Sequence, residues 1–229
     1  RESLPPKARV AQAVYFRKLD IGKRKTKKPV VVALLGLVGS GKSSVAKELA
    51  GLIGAAVIEG DAIRIELRKQ GERYRHGRHS YVRHISEDVA IEVLKAGGNV
   101  IFDSDFTDEK KRASLRAKVA KAGASLVFVR TYADPEVMLG RMLSAEYRRS
   151  PDDFFGGASS TWEGGTEQQR GAVIKFKEMW RRTPHHYRWS SEGGGNWILK
   201  KPPIPLLADI DTTDSERWKE GIRKAARKL

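Results

Sequence analysis

One stretch, residues 30–49 (VVVALLGLVGSGKSSVAKEL), constrains the fold more than any other part of the chain. It begins with a continuous apolar run, which is typical of a strand covered on both faces in a parallel sheet. Gly36, Gly41, Lys42 and Ser43 then satisfy the pattern G-x-x-x-x-G-K-[ST], and a helical run without breakers follows. The stretch therefore predicts a strand, a glycine-rich loop and a helix in direct succession.

This succession has the chemistry of a phosphate site. Glycines let backbone N–H groups curl around phosphate oxygens, and the N-terminus of the next helix adds unpaired donors and the positive end of its dipole. Lys42 can reach the β- and γ-phosphates of a nucleoside triphosphate, and the Ser43 hydroxyl can ligate Mg²⁺. The residues that we expect to contact the nucleotide in this P-loop are Gly36, Val38, Gly39, Ser40, Gly41, Lys42, Ser43 and Ser44.

Composition excludes several other classes. The 229 residues contain no Cys, so neither a disulfide framework nor a thiolate metal site or nucleophile can form. No apolar run reaches the length of about 18 residues that suggests a membrane span, and the charged N-terminus lacks the apolar core of a secretory signal. We therefore expect a soluble cytoplasmic protein.

The net charge of +16 is unevenly spread, because residues 1–28 hold ten Lys or Arg against two acidic residues. Such an excess favours polyanions through counterion release, but a solvated basic surface explains it equally well. We predict that residues 1–28 are a basic extension, either a nucleic-acid-binding arm or a docked helix with a solvated linker. Residues 29–229 are predicted to form the main domain, with a lid and substrate-side insertion over about residues 141–205.

Strands and helices alternate along the main domain. This alternation favours an α/β fold of the P-loop NTPase type, with five mostly parallel strands and helices on both faces. The further predicted strands are Ala55–Ile58, Asn99–Phe102, Ser125–Val129 and Leu206–Ile210. Residues 151–165 are expected to be irregular, Val173–Arg182 helical and Thr183–Gly195 loop-like. Because ligands bind at the C-terminal ends of parallel strands, the polar residues that end these strands are the site candidates.

Asp61 and Arg64 follow the second predicted strand and stand three residues apart, on one face of a helix. A carboxylate there can accept the proton of a hydroxyl that attacks the γ-phosphate. The arginine can hold an anionic group of the acceptor or stabilise the transferring group. The alternative is that Asp61 is only a helix N-cap and Arg64 only a surface cation.

These motifs together resemble a known family. GLVGSGKS, the D-x-x-R pair Asp61 and Arg64, Asp103-Ser-Asp105, DPEVMLGR (residues 134–141) and Asp211-Thr-Thr213 look like P-loop kinases of the polynucleotide 5′-hydroxyl kinase and zeta-toxin-like group. The resemblance covers about residues 30–150 and 206–229. It implies phosphoryl transfer from ATP, with Mg²⁺ as cofactor.

The resemblance also implies individual roles. Asp61 would be the general base, and Arg64 would position the acceptor. Asp103 or Asp105 would support Mg²⁺ together with Ser43. The implied catalytic residues are Lys42, Asp61, Arg64 and the lid residue Arg141, and further nucleotide contacts would come from Arg148 and Thr213.

The acceptor is less constrained. The segment rich in Trp, with Trp162, Trp180, Trp189 and Trp197 among Arg and His, can stack bases, although such residues also pack cores. His185 and His186 lack a third ligand at a convincing spacing, so we predict no structural metal. We expect a kinase for a hydroxyl on an anionic substrate, with a polynucleotide 5′-end as the preferred acceptor. The alternatives are a kinase for a metabolite, nucleotide-sugar or antibiotic, and a nucleotide-dependent RNA-binding switch.

Overall fold

The computed structural model describes residues 4–72, 79–147 and 164–229. The strands in chain order are β1 (Val30–Leu35), β2 (Ala55–Glu59), β3 (Asn99–Asp103), β4 (Ser125–Tyr132), β5 (Tyr187–Ser190), β6 (Asn196–Leu199) and β7 (Ala208–Asp211). The helices are α1 (Pro6–Lys18), α2 (Lys42–Ile53), α3 (Gly60–Lys69), α4 (His79–Lys95), α5 (Glu109–Lys121), α6 (Pro135–Ser144), α7 (Glu167–His186) and α8 (Trp218–Ala226).

A five-stranded parallel sheet with the order β2-β3-β1-β4-β7 carries the fold. The strands predicted from the apolar runs and the parallel α/β architecture are confirmed. All six residues of β1 are buried, because this strand lies at the centre of the sheet with helices on both sides. The glycine-rich loop therefore leaves the sheet at its middle, where the C-terminal ends of β3 and β4 flank it.

The two faces of the sheet bury different cores, and β1 shows why. Val31 and Leu35 belong to the cluster that α1, α3, α4 and α5 cover, whereas Val32 and Leu34 belong to the cluster under α2 and α8. Successive strand residues point to opposite faces, so one apolar run supplies both cores. This is why the predicted strand reads as continuously apolar rather than alternating.

Helix α1 packs on α3 and α4 through Ala8, Ala11 and Tyr15, which are buried in the core. The Tyr15 hydroxyl accepts a hydrogen bond from the Glu59 backbone N–H at 3.0 Å. Farther along, the Lys25 N–H donates to the carbonyl of Ile53 at the end of α2. Of the two predicted forms of residues 1–28, the docked helix is the one observed.

The segment after residue 164 differs from the prediction. The predicted helix Val173–Arg182 is part of the longer α7, which begins with a capping box between Thr166 and Gln169. The helix continues past Arg182 to His186 even though Pro184, in its last turn, has no N–H to donate to the carbonyl one turn earlier.

The predicted loop Thr183–Gly195 was therefore wrong over much of its length, since α7 extends to His186 and β5 pairs antiparallel with β6. Residues 151–163 of the predicted irregular stretch lie outside the described residues. Across the described ranges, no helix has the length and apolar character that a membrane crossing requires.

Candidate active site

The loop between β1 and α2 begins with a glycine that packs tightly against β4. A Cβ on Gly36 would lie 2.4 Å from both the Ser40 and the Thr131 hydroxyl oxygens. These two buried hydroxyls are 2.8 Å apart and hydrogen bonded. The first glycine of the motif is therefore required by packing within the protein as well as by phosphate access.

The next glycines sit against α6 and the end of β7. Gly39 has φ +82° and Gly41 has φ +77°, a left-handed conformation that side chains disfavour. Arg141 of α6 donates to the Gly39 carbonyl and to the Thr212 hydroxyl, both at 3.0 Å, and also to the Thr212 carbonyl. Arg141, predicted to begin the lid, thus links α6 to the glycine-rich loop and to the residue that follows β7.

The loop presents one cation and a helix N-terminus to the same opening. The Lys42 Nζ donates to the carbonyls of Gly36 and Leu37, both at 2.8 Å. Ser43 and Ser44 are exposed in the first turn of α2, and no side chain caps that helix. Unpaired backbone donors, two hydroxyls and an ammonium group therefore converge where the motif predicts the phosphates.

Asp105 ties this loop to the rest of the site. Its Oδ1 accepts from the backbone N–H groups of Gly36 and Thr107, both at 3.3 Å. Its Oδ2 accepts from the Thr107 hydroxyl at 2.9 Å and lies 3.0 Å from His186 Nε2. Arg182 Nη1 is 3.7 Å from the same oxygen. Both carboxylate oxygens thus already have protein partners.

The electrostatics around Asp105 favour its ionised form. Burial opposes ionisation, but the hydrogen bond from His186 and the positive charges of Lys42 and Arg182 hold the pKa of Asp105 well below its usual range. In turn, burial lowers the pKa of Lys42, and the charges of Asp105 and Asp103 partly offset this effect. The loop lysine is therefore balanced by two carboxylates from the end of β3.

Asp103 differs from Asp105 in its surroundings. It ends β3 opposite Glu59 of β2 and is half-buried, and its carboxylate accepts no hydrogen bond from any residue in the described ranges. Together with the exposed hydroxyl of Ser43 it offers oxygen ligands of the kind that Mg²⁺ prefers. Of the three residues predicted for the metal, Ser43 and Asp103 fit that role, whereas the oxygens of Asp105 are engaged elsewhere.

Asp61 and Arg64 lie on α3 across the opening. Glu59 is the N-cap residue of this helix, so Asp61 lies in its first turn and is not the capping residue. Instead the Asp61 carboxylate forms an ion pair with Arg64; its side chain is 54% exposed and that of Arg64 18%. This carboxylate is therefore accessible and held by a cation, as a base beside a substrate needs to be.

Helix α7 lies in the segment that the sequence assigned to the lid and substrate side, and it brings to the site a lysine, Lys175, that sequence reasoning did not select. Burial lowers the pKa of Lys175, while Asp61 and Glu178 oppose this and Arg64 adds to it. On α5, burial likewise lowers the pKa of Lys111 to about 8, and the negative charge of Asp105 opposes this decrease. The sequence signal for a role of Lys175 was the spacing of charged residues along α7.

The remaining predicted residues are placed as follows. Thr213 accepts a hydrogen bond from the Asp134 N–H at 2.8 Å, so its hydroxyl braces the start of α6. The neighbouring Thr212, which sequence reasoning did not select, is buried and donates to the Ser40 carbonyl at 3.1 Å. Arg148 and Trp162 lie outside the part of the chain that the structure describes.

The central parallel strand, the glycine-rich loop and the helix that follows it define a P-loop protein of the nucleoside triphosphatase fold. Residues 31–154 match the AAA_33 family, described as an AAA domain, and the chain belongs to that family. No curated protein matches the sequence.

The fold is shared with a solved structure, and further solved structures match the chain with lower TM-scores. A protein of Chloroflexus aurantiacus described as a candidate kinase is 16% identical, with 89% of this chain and 100% of that chain covered and a TM-score of 0.55. A gluconokinase of Sinorhizobium meliloti is 18% identical over 88% of this chain and 92% of that chain, with a TM-score of 0.48. The APS kinase of Mycobacterium tuberculosis is 27% identical over 45% and 76%, with a TM-score of 0.40.

Proposed function

We propose that the chain is an ATP-dependent phosphotransferase that moves the γ-phosphoryl group to a hydroxyl of an anionic substrate. One observation carries this proposal. Lys175 of α7 lies within electrostatic reach of both the P-loop Lys42 and the accessible Asp61 carboxylate, which is paired with Arg64. A base, a phosphate-binding cation and a wall of further cations are what hydroxyl phosphorylation requires.

The proposed step assigns each group a role. Lys42 exchanges the carbonyls of Gly36 and Leu37 for phosphate oxygens when ATP enters. The substrate oxygen bonds to the γ-phosphorus while the bond from that phosphorus to the β,γ-bridging oxygen breaks, so ADP leaves with that oxygen. Asp61 takes the proton of the attacking hydroxyl. Mg²⁺, when bound, would neutralise phosphate charge, and Ser43 and Asp103 are the residues that would hold it.

The charges on the acceptor side support an anionic substrate. The positive charges of Arg64 and Arg182 each lower the pKa of both Lys175 and Lys111, and burial disfavours the charged state of both lysines. An anionic group bound among them would offset this cost. In this proposal residues 29–229 form the kinase domain, with lid and substrate side in about residues 141–205, and residues 1–28 form a basic extension.

A polynucleotide 5′-hydroxyl is a second candidate acceptor. Trp189 and Trp197 pair across the β5–β6 hairpin with ring centroids 5.2 Å apart and are 54% and 40% exposed. Exposed aromatic side chains beside a cation such as Arg188 can stack unpaired bases. A small-molecule acceptor, the other candidate, is equally compatible with the half-buried Lys175 and Lys111.

The test is transfer of labelled γ-phosphate from ATP, with ADP release measured in parallel. The acceptors are a 5′-hydroxyl oligonucleotide and a panel of sugar acids, nucleotide-sugars and antibiotics. We expect one class to be labelled, and Lys42→Ala to reduce both nucleotide binding and transfer. Labelling of the oligonucleotide alone would select the second candidate, and absence of transfer to every acceptor would contradict the proposal.

The role of Asp61 has its own variant. Asp61→Asn should retain ATP binding and lower turnover about 100-fold or more, the scale of a positioned base. Asp88→Asn is the matched control, because Asp88 is also a partly exposed carboxylate (44%) in an ion pair, with Lys118 at 2.7 Å. Equal turnover of the two variants would exclude Asp61 as the base. If the wild-type chain binds ATP without transferring phosphate, and neither variant changes that binding, a nucleotide-dependent switch would be favoured.

A further inference from the structure

Helix α7 turns one charged face towards the P-loop. Glu178, Arg182 and His186 follow one another at intervals of four residues and so lie along one side of the helix. Glu178 forms an ion pair with Arg182 Nε, and Arg182 Nη1 and His186 Nε2 lie 3.7 Å and 3.0 Å from Asp105 Oδ2. This face therefore meets the carboxylate that also holds the first glycine of the loop.

The contact fixes the last turn of α7 relative to the phosphate site. His186 and Asp105 are each 4% exposed at the side chain, so solvent does not compete for their hydrogen bond. The next residue, Tyr187, is also buried, and its hydroxyl donates to the Ala133 carbonyl at 3.2 Å. Two adjacent anchors thus hold the end of the helix beside the P-loop.

Arg182 stands one turn before these anchors, and its side chain is 32% exposed, so it borders the opening. Its Nη1 lies 3.7 Å from the Asp105 carboxylate, which accepts from the Gly36 N–H, so the guanidinium lies beside the first glycine of the P-loop. Arg141, the arginine predicted for this position, is engaged with Gly39 and Thr212 instead.

We propose that Arg182 is a catalytic residue that binds the oxygens of the transferring γ-phosphoryl group, and that His186 positions it through Asp105. This inference rests on the proposed function. Glu178 holds Nε of the guanidinium, and Nη1, at 3.7 Å from Asp105, is beyond hydrogen-bond distance of that carboxylate, so the planar fork can span Glu178 on one side and a phosphoryl oxygen on the other. Negative charge on those oxygens is stabilised most in the transition state, so the arginine accelerates transfer rather than binding ATP more tightly.

The test compares Arg182→Ala with Arg181→Ala. Arg181 is the ideal control because it is adjacent, more exposed (57%) and paired with the same Glu178. For Arg182→Ala we expect kcat to fall about 100- to 1000-fold with ADP affinity unchanged, and the urea unfolding midpoint to fall only slightly as the ion pairs with Glu178 and Asp105 are lost. Arg182→Lys should restore little, since an ammonium group lacks the fork, whereas added guanidinium ion should partly rescue Arg182→Ala. Arg181→Ala should change kcat less than about threefold.

A second measurement needs no acceptor. Aluminium fluoride bound together with ADP mimics the transferring phosphoryl group. Calorimetry therefore measures the affinity of the chain for ADP with aluminium fluoride and, in parallel, its affinity for ADP alone. We expect Arg182→Ala to weaken the fluoride complex at least tenfold and leave ADP binding unchanged. His186→Ala should weaken it several-fold, and His185→Ala, an exposed neighbour, should not.

The outcomes separate the two proposals. A wild-type chain that binds ADP but neither the fluoride complex nor any acceptor productively would overturn the proposed function. A wild-type chain that does bind the complex, with equal affinity in Arg182→Ala and Arg181→Ala, would overturn the role of Arg182 alone. Loss of the complex in both variants, or loss of ADP binding in Arg182→Ala, would make the effect structural and reject a catalytic role.

Discussion

Replacing Asp105 with Asn tests whether this carboxylate is the structural link between the P-loop and α7. The substitution keeps the shape of the side chain but removes its charge and turns one oxygen into a donor. Oδ1 faces two backbone N–H groups that cannot reverse, so the new amide nitrogen must face the Thr107 hydroxyl and His186. The hydroxyl can rotate and the imidazole can shift its proton, but neither bond is then assisted by charge.

The magnitude follows from these contacts. Hydrogen bonds to a charged group contribute about 1.5–3 kcal/mol and neutral ones about 1 kcal/mol. Weakening those from His186 and Thr107, with loss of the nearby charge of Arg182, gives a decrease of about 2 kcal/mol in the free energy of unfolding. With an m-value of about 2–3 kcal/mol/M in urea, the midpoint should fall by about 1 M.

The control is Asp103→Asn, two residues away. The Asp103 carboxylate accepts no hydrogen bond from residues in the described parts of the chain. The free energy of unfolding of its variant should therefore stay within about 0.5 kcal/mol of the wild-type value. Urea unfolding at pH 7, followed by tryptophan fluorescence, measures both. Equal midpoints for Asp105→Asn and Asp103→Asn would refute the argument that Asp105 joins the loop to α7.

Three further variants probe other contacts. Gly41→Ala should lose about 1–3 kcal/mol of stability, because φ is +77° and the new Cβ would lie 3.0 Å from a threonine hydroxyl. The control Gly51→Ala, in open space within α2, should gain about 0.5–1 kcal/mol. Similar urea midpoints for the two variants would contradict this prediction. The pKa of Lys111 is lowered from 10.5 to about 8, so the unfolded chain binds more protons between these pH values and the free energy of unfolding rises with pH there. Lys111→Met should remove a rise on the order of 2 kcal/mol between pH 8 and 10.5, and an unchanged pH profile of urea unfolding would reject it. Tyr15→Phe should cost about 1 kcal/mol, since the Glu59 N–H loses its acceptor, and full wild-type stability would show that water replaces the hydroxyl.

Much of the fold could be predicted because its signals are local. The apolar run of β1, the glycine spacing after it and the alternation of strands with helices each depend on neighbours within about twenty residues. Asp134 also caps α6 as its position before Pro135 indicates, with its carboxylate accepting from the Glu136 N–H at 2.8 Å. The longer α7 and the β5–β6 hairpin could not be predicted, because Pro184 and the following glycines are typical of loops.

The site divides in the same way. The sequence alone determined that a P-loop leaves a buried parallel strand, and that Asp61 and Arg64 share one helix face, since backbone geometry relates such residues over a few positions. Only the tertiary structure decided that Asp105 bonds to His186, 81 residues away, and that Arg141 bonds to Gly39, 102 residues away. Partners so distant meet because the order of strands in the sheet brings their ends together, and that order is set by the packing of the whole core.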